Sequence, residues 1–303
     1  MTEITNLVSK FYLHWYNVRK HAHGKAELVP LMKRMCEVLG KRLDGRPVGW
    51  EQVAPDYEFS GGFGNYHHMR ISKGLYITRY DKTMDYLNAD ENEDIYDVFY
   101  NLTNDRYKQH EGIFVKERPY NLFCLQMIYP KDYFNTLAAM KWATDNKQYT
   151  LFKTHPAADF HQNYPRFWIH AKQKGYVTEY TKFCHGYRSE ELVEGANLVF
   201  SSDSALSFKA LIKNKPTFMM RAGPMVDLIP IVPKLDSSVL DVKPVSQTDR
   251  TKWLNWFYAV ICNDMDRDDF EEKINFRIDL YESGKKDVDV CKWDTFKSRG
   301  LIL

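Results

Sequence analysis

From about residue 118 the chain alternates short apolar runs with longer stretches in which apolar residues recur every three or four positions. The run "YNLFCLQMIY" (120–129) predicts a strand, "YFNTLAAMKWATDN" (133–146) a helix, and "QYTLFKTHP" (148–156) a strand that Pro156 stops. A helix follows at "RFWIHAKQKG" (166–175), closed by Gly175, then a strand at "YVTEYTKF" (176–183) and a short helix at "SEELVEGA" (189–196). "NLVFSS" (197–202) reads as a strand, 204–213 as a helix, and "KPTFMM" (215–220) as the next strand. Strands and helices alternating through short turns predict an α/β fold with a parallel sheet covered on both faces. In such sheets ligands sit beyond the carboxyl ends of the strands.

The earlier part of the chain has a different texture. In "KAELVPLMKRMCEVLGKRL", Leu28, Leu31, Met32, Met35 and Leu39 fall near one helical face. From Trp50 short aromatic segments lead into "GGFGNYHHMRISKGLYITRYD", where the clustered glycines require a loop. "NADENEDIYD" (88–97) sets Asp90, Asn92 and Asp94 at alternate positions, as a calcium loop does. Ile95 stands where that loop turns on glycine, and Asn101 where it needs a bidentate glutamate, so the stretch reads as a solvated loop. Near the end, Phe270, Ile274, Arg277 and Tyr281 recur at helical spacing and leave an apolar stripe that needs a partner. The organisation expected is an N-terminal domain over 1–115, a second α/β domain over 116–280, and a segment 281–303 returning to the first.

A length of 303 residues favours two domains, and 44% hydrophobic with 27% charged residues describes a globular chain rather than a disordered one. The net charge of +2 hides a basic beginning, with Lys10, Arg19, Lys20, Lys25, Lys33, Arg34, Lys41, Arg42 and Arg46. No N-terminal run resembles a signal peptide, and none reaches the roughly 18 apolar residues of a membrane span, so a cytoplasmic protein is expected. Cys36, Cys124, Cys184, Cys262 and Cys291 are scattered without a CxxC pair, which favours reduced thiols over a disulfide framework or a zinc knuckle.

Two strand ends carry candidate chemistry. Ser202, Asp203 and Ser204 close one predicted strand and open the next helix, where free N–H groups and the helix dipole favour an anion by about 0.3–1 kcal/mol. The hydroxyls of Ser202 and Ser204 can donate to phosphate oxygens, whereas Asp203 repels them. The segment "KTHP", Lys153 to Pro156, ends another strand with a cation and an imidazole donor. Two such ends in one parallel sheet suit a single nucleoside diphosphate, and helix capping is the competing use of the serines.

The order "YNLFCLQ", "LFKTHP", "ELVEGANLVFSSDSALSFKALIKNKPTFMM" and "KWLNWFYAVICND" resembles the capsule-polysaccharide biosynthesis glycosyltransferases over about residues 115–280. His155 and Pro156 match that family's HP motif and Ser204 its motif serine; Ala210, Leu211, Lys215 and Pro216 match the segment that follows. Lys209 stands where the family has glutamate, and Asn214 replaces the glycine before "KP". The resemblance implies a GT-B architecture of two Rossmann-like domains with a cleft between them. It also implies a nucleotide-sugar donor held by His155, Pro156 and Ser204, beside the Ser202 read from the strand end, and turnover without cofactor or metal. Lys153 and Arg221 would offset the diphosphate charge, and Lys209 would lie beside the donor.

The acceptor side is read from "SGGFGNYHH" (60–68). Gly61, Gly62 and Gly64 allow close backbone approach, and His67 or His68 can take a proton from an acceptor hydroxyl, with Asp81 and Asp85 as other bases. Adjacent histidines diverge in direction, which disfavours a metal there. The basic, aromatic segment "KFYLHWYNVRKHAHGK" (10–25) suits a phosphate backbone and stacked bases. The texture also resembles enzymes of large DNA phages, so a hydroxymethylated DNA base is one acceptor, with Phe63 or Tyr66 to stack on it. A capsule or surface glycan is the alternative. A non-catalytic nucleic-acid-binding module is a third reading, kept open by Lys209.

Overall fold

The computed structural model describes residues 48–50, 57–61, 68–73, 85–97, 99, 117–125, 130–154, 163–184, 186–202, 204, 206–221, 225, 228–257 and 262–264. The chain divides into two compact units, one formed by Thr103–Arg250 and the other by Met1–Leu102 together with Thr251–Leu303. The second stretch of the latter unit begins at Thr251. The helical stretches expected before residue 46 and over 270–281 lie outside the described residues.

In the unit holding both chain ends, β1 (Val48–Trp50) runs parallel to β2 (Tyr57–Gly61), and β2 pairs antiparallel with β3 (His68–Lys73) in the register Gly61↔Met69. The glycine-rich segment thus connects two antiparallel strands. Gly61 is the last residue of β2 rather than part of the loop.

The other unit follows the predicted alternation: β4 (Asn121–Cys124), α1 (Pro130–Asp145), β5 (Thr150–Lys153), α2 (Asn163–Gln173), β6 (Thr181–Cys184), α3 (Ser189–Gly195), β7 (Val199–Ser201), α4 (Leu206–Ile212) and β8 (Thr217–Met219). The strands form one sheet in the order β6-β5-β4-β7-β8, with every pairing parallel. The chain lays β5 and β6 on one side of β4, then crosses to lay β7 and β8 on the other. The switch point falls between β4 and β7, where doubly wound sheets open a crevice.

Register is fixed by phenylalanine. Phe183, Phe152, Phe123, Phe200 and Phe218 are mutual partners across all five strands. Successive ring centroids lie 5.4, 5.5, 5.1 and 5.0 Å apart. Each fully buried ring contributes about 1.5–3 kcal/mol by leaving water. The row packs with Ala139, Met140, Trp142 and Ala143 of α1 and with Phe167 and Ala171 of α2. Side chains alternate along a strand, so the neighbouring rows face the other way. There Leu122, Cys124, Leu151, Cys184 and Val199 pack with Leu192 and Val193 of α3 and Ala210 of α4.

Three helices end in the same way. Lys147, Gly175 and Asn214 adopt left-handed φ values of 53°, 71° and 53°. The next residue in each case returns a hydrogen bond to the helix: Gln148 N to Ala143 O at 2.8 Å, Tyr176 N to Ala171 O at 3.0 Å, and Lys215 N to Ala210 O at 2.9 Å. This is the Schellman arrangement, and it turns the chain back toward the sheet. After Gly175 the strand starts only at Thr181, later than the pattern suggests. The intervening residues form a turn closed by Thr178 N on Thr181 Oγ1 (2.9 Å) and Thr181 Oγ1 on Tyr176 O (2.9 Å).

After the 3-10 turn Ser237–Asp241, helix α5 (Gln247–Trp256) opens on a reciprocal cap. Asp249 N donates to Ser246 Oγ (3.1 Å), and that hydroxyl donates to Asp249 Oδ2 (2.7 Å). Asn255 Nδ2 on Asn92 O (2.9 Å) and Tyr96 Oη with Thr251 Oγ1 (3.1 Å) hold the 88–97 stretch against α5. β9 (Cys262–Asp264) completes the first sheet beside β3.

Gly195 closes α3 under Tyr120, whose hydroxyl donates to Leu192 O at 2.8 Å. A Cβ at 195 would lie 2.4 Å from that hydroxyl oxygen and 3.2 Å from the ring carbon bearing it. Gly195→Ala is therefore expected to destabilise the protein by about 1–3 kcal/mol in urea unfolding. Adding Tyr120→Phe removes the nearer atom and should recover part of the loss. An unchanged midpoint for Gly195→Ala alone would show that Tyr120 is not held in this position.

Candidate functional site

The residue after each phenylalanine stands at the carboxyl end of its strand. Cys184, Lys153, Cys124, Ser201 and Met219 are again register partners, forming a second row that ends β6, β5, β4, β7 and β8. Beyond this row the strand alternation separates the serines. Ser201 Oγ lies 2.9 Å from Ser207 Oγ of α4 and accepts the backbone N–H of Ser204 at 2.9 Å. Ser204 Oγ accepts from Leu206 N at 3.3 Å. These hydroxyls tie the β7–α4 turn, which is the capping use expected of serine, and the O–H of Ser204 keeps its own proton to donate.

Ser202 turns to the opposite side. It is 2% exposed, its Oγ accepts from Asn135 Nδ2 of α1 at 3.1 Å, and its carbonyl accepts from Arg221 N at 3.1 Å. The Arg221 side chain is 36% exposed and pairs with the buried carboxylate of Asp132, in the first turn of α1, at 3.8 Å. Ser202, Asn135, Asp132 and Arg221 therefore form one polar group at the switch point, supplied by β7, α1 and the end of β8. The sequence pattern missed Asn135 and Asp132. Their signal was polarity in the first turns of a helix that directly follows the central strand.

Lys153 stands one strand away. Its side chain is 2% exposed, and Nζ donates to Thr154 O at 3.2 Å. Its register partners are the thiols of Cys124 and Cys184. Burial pushes both thiols up, Cys184 to about 12, so neither supplies a counter-charge at neutral pH. Burial likewise pulls the Lys153 amine below its ordinary value of 10.5.

Lys209 is turned toward α3, where it pairs with Glu190. Asn214 takes the left-handed conformation that glycine would take, and its Oδ1 accepts from Arg250. His68 begins β3, paired with Asp264 of β9. His67, Asp81, Gly62, Gly64, His155, Pro156 and Asp203 lie outside the described residues, as do Phe63, Tyr66 and the basic residues between 10 and 46. Among the described residues no group of three metal-binding side chains gathers, and no helix is long and apolar enough to cross a membrane.

No protein-family model and no curated protein matches the chain. Its fold is similar to that of the KpsC β-Kdo 2,4 transferase of Thermosulfurimonas dismutans, with a TM-score of 0.45 and 13% identity over 69% of this chain and 78% of that one. For the β-Kdo 2,7 transferase of KpsC from the same organism the TM-score is 0.45 and the identity 15%, over 82% and 90%. For the UDP-GlcNAc 2-epimerase of Methanocaldococcus jannaschii, solved with UDP-GlcNAc and UDP, the values are 0.34 and 14%, over 65% and 53%. The α/β class itself rests on the five-stranded parallel sheet described above.

The state of Lys153 has a measurable consequence. Its folded-state pKa lies below the unfolded value, so folding releases a proton and the buried ammonium penalises the native state at low pH. The penalty fades as pH rises through the lowered value toward 10.5. Lys153→Met should stabilise the protein by about 1–3 kcal/mol at neutral pH and flatten the alkaline rise in stability, as followed by urea unfolding across pH. A destabilised Lys153→Met variant would show that the amine has a compensating partner.

Proposed function

We propose that the chain is a nucleotide-sugar-dependent glycosyltransferase of GT-B type, with the donor lying over the carboxyl ends of β5, β7 and β8. The supporting observation is that Lys153, Ser202, Ser204 and Arg221 collect along one edge of an all-parallel sheet, at and beside its switch point. From β5 to β8 is three strand spacings, about 14 Å. That is the scale of a whole nucleotide sugar rather than of a diphosphate alone, so Lys153 and Arg221 serve different parts of the donor. His155 and Pro156, matched to the donor motif, follow Thr154 in the chain.

In this reading an acceptor hydroxyl attacks the anomeric carbon as the bond to the diphosphate breaks. The departing oxygen gains the negative charge, which the cations and the Ser204 hydroxyl offset in a site held by the sheet. Lys209 is a tie between α3 and α4 rather than a donor ligand, given its pairing with Glu190. The unit of Met1–Leu102 with Thr251–Leu303 carries the acceptor, with His67, His68 or Asp81 as base. A glycan hydroxyl is the acceptor that the capsule-enzyme resemblance favours. The basic residues from Lys10 to Arg46 favour a hydroxymethylated DNA base as the second reading.

A panel of nucleoside diphosphates should contain at least one that stabilises the protein against heat, and the matching sugar should pass to an acceptor. Arg221→Ala, which removes a charged contact, should weaken that binding about tenfold or more, and Ser204→Ala about two- to tenfold. His155→Ala should raise the donor KM. Assays with glycan, hydroxymethylated DNA and plain DNA distinguish the acceptors. Failure of every nucleotide to bind, or wild-type donor binding in all three variants, would overturn the assignment.

A further inference from the structure

Lys153 has no counter-ion among the described residues. The side chains beside it on β4 and β6 are neutral thiols, Cys124 and Cys184. From the helices covering this face come the apolar Leu192, Val193 and Ala210, and the charged Glu190 and Lys209 are paired with each other. The other ionisable groups on the elements packed here are Glu191 of α3, Glu194 of α3 paired with Lys213, Lys182 of β6 paired with Glu117, and the phenols of Tyr120, Tyr149 and Tyr187. Burial is the main influence on the amine and favours its neutral form. An ammonium has three donors, and Nζ meets one acceptor, the Thr154 carbonyl. A 2%-exposed amine so placed, at the carboxyl end of a strand next to the central one, has room in its hydrogen bonding for an incoming oxyanion.

We propose that the ligand draws a proton to this residue: a phosphate oxyanion arriving at the carboxyl edge of the sheet favours the ammonium form of Lys153 Nζ and, across the alkaline range, draws a proton from solvent onto it. The inference rests on the donor reading above and adds a proton to it. Burial favours the neutral amine in the free protein, and a bound anion favours the charged form, so the two states bind different numbers of protons over an alkaline window. Within that window binding weakens as pH rises, by up to tenfold per unit. Below it the amine is charged in both states, and affinity levels off.

The experiment is calorimetric titration of the full chain with UDP, GDP, CDP and ADP between about pH 7.5 and 10, in two buffers of different ionisation enthalpy. A terminal phosphate, with its second pKa near 6, is fully ionised there, and histidines of ordinary pKa near 6.5 are neutral. The expected result is a buffer-dependent heat that reports net proton uptake on binding within the window. Lys153→Met should lose that uptake together with about ten- to a hundredfold in affinity, while gaining stability. Lys153→Arg, which stays charged, should bind without uptake if it folds. Binding with equal heats in both buffers at every pH overturns the coupling and leaves the donor reading standing, as does uptake that persists in Lys153→Met. Binding of none of the four nucleotides by the wild-type chain overturns both.

Discussion

A row of five phenylalanines, one from each strand of the parallel sheet, is the constraint on which the candidate site depends. Side chains on a strand alternate with a period of two, so pinning Phe183, Phe152, Phe123, Phe200 and Phe218 to one face commits the next residue of every strand to the other. Lys153, Cys124 and Ser201 owe their common direction to that commitment. A slip of one residue in β5 would drive an amine into the aromatic layer and a ring onto the functional edge. Either error costs far more than the site gains from any single contact, so the apolar face specifies the polar one.

The same alternation explains why adjacent serines have different partners. Ser201 closes the turn into α4, and Ser202 meets Asn135 across the switch point. The backbone of the turn is satisfied by Ser201 and Ser204, whereas Ser202 is held by α1. Arg221 is placed by a backbone hydrogen bond to Ser202 and by the carboxylate of Asp132.

Much of this unit was legible in the sequence, because periodicity reports burial and burial dominates a doubly wound sheet. Each strand and helix from 120 to 220 lies where its apolar pattern put it, and the differences are at the ends. The expected strand 176–183 shrinks to Thr181–Cys184, since threonine hydroxyls build a turn that periodicity does not register. Strand order and register were not legible, because they arise from pairings between distant segments. The row that brings Lys153 between two thiols was hidden for that reason. Lys209 carried a charge that sequence alone could aim at a ligand; only the packing of α3 beside α4 supplies Glu190 as its partner. The acceptor side rested on glycine and histidine chemistry without a periodic scaffold, and Gly61 moved from loop to strand once its pairing with Met69 was fixed.

The left-handed residues that end α1, α2 and α4 are a lysine, a glycine and an asparagine. The three ends share a torsion angle, and three different side chains meet it at differing cost. Glycine meets it without steric strain, asparagine tolerates it, and lysine occupies it against its own preference because the following strand is held by the sheet. Helix ends of this kind set the direction in which the chain leaves each helix for the next strand, whichever residue holds the turn.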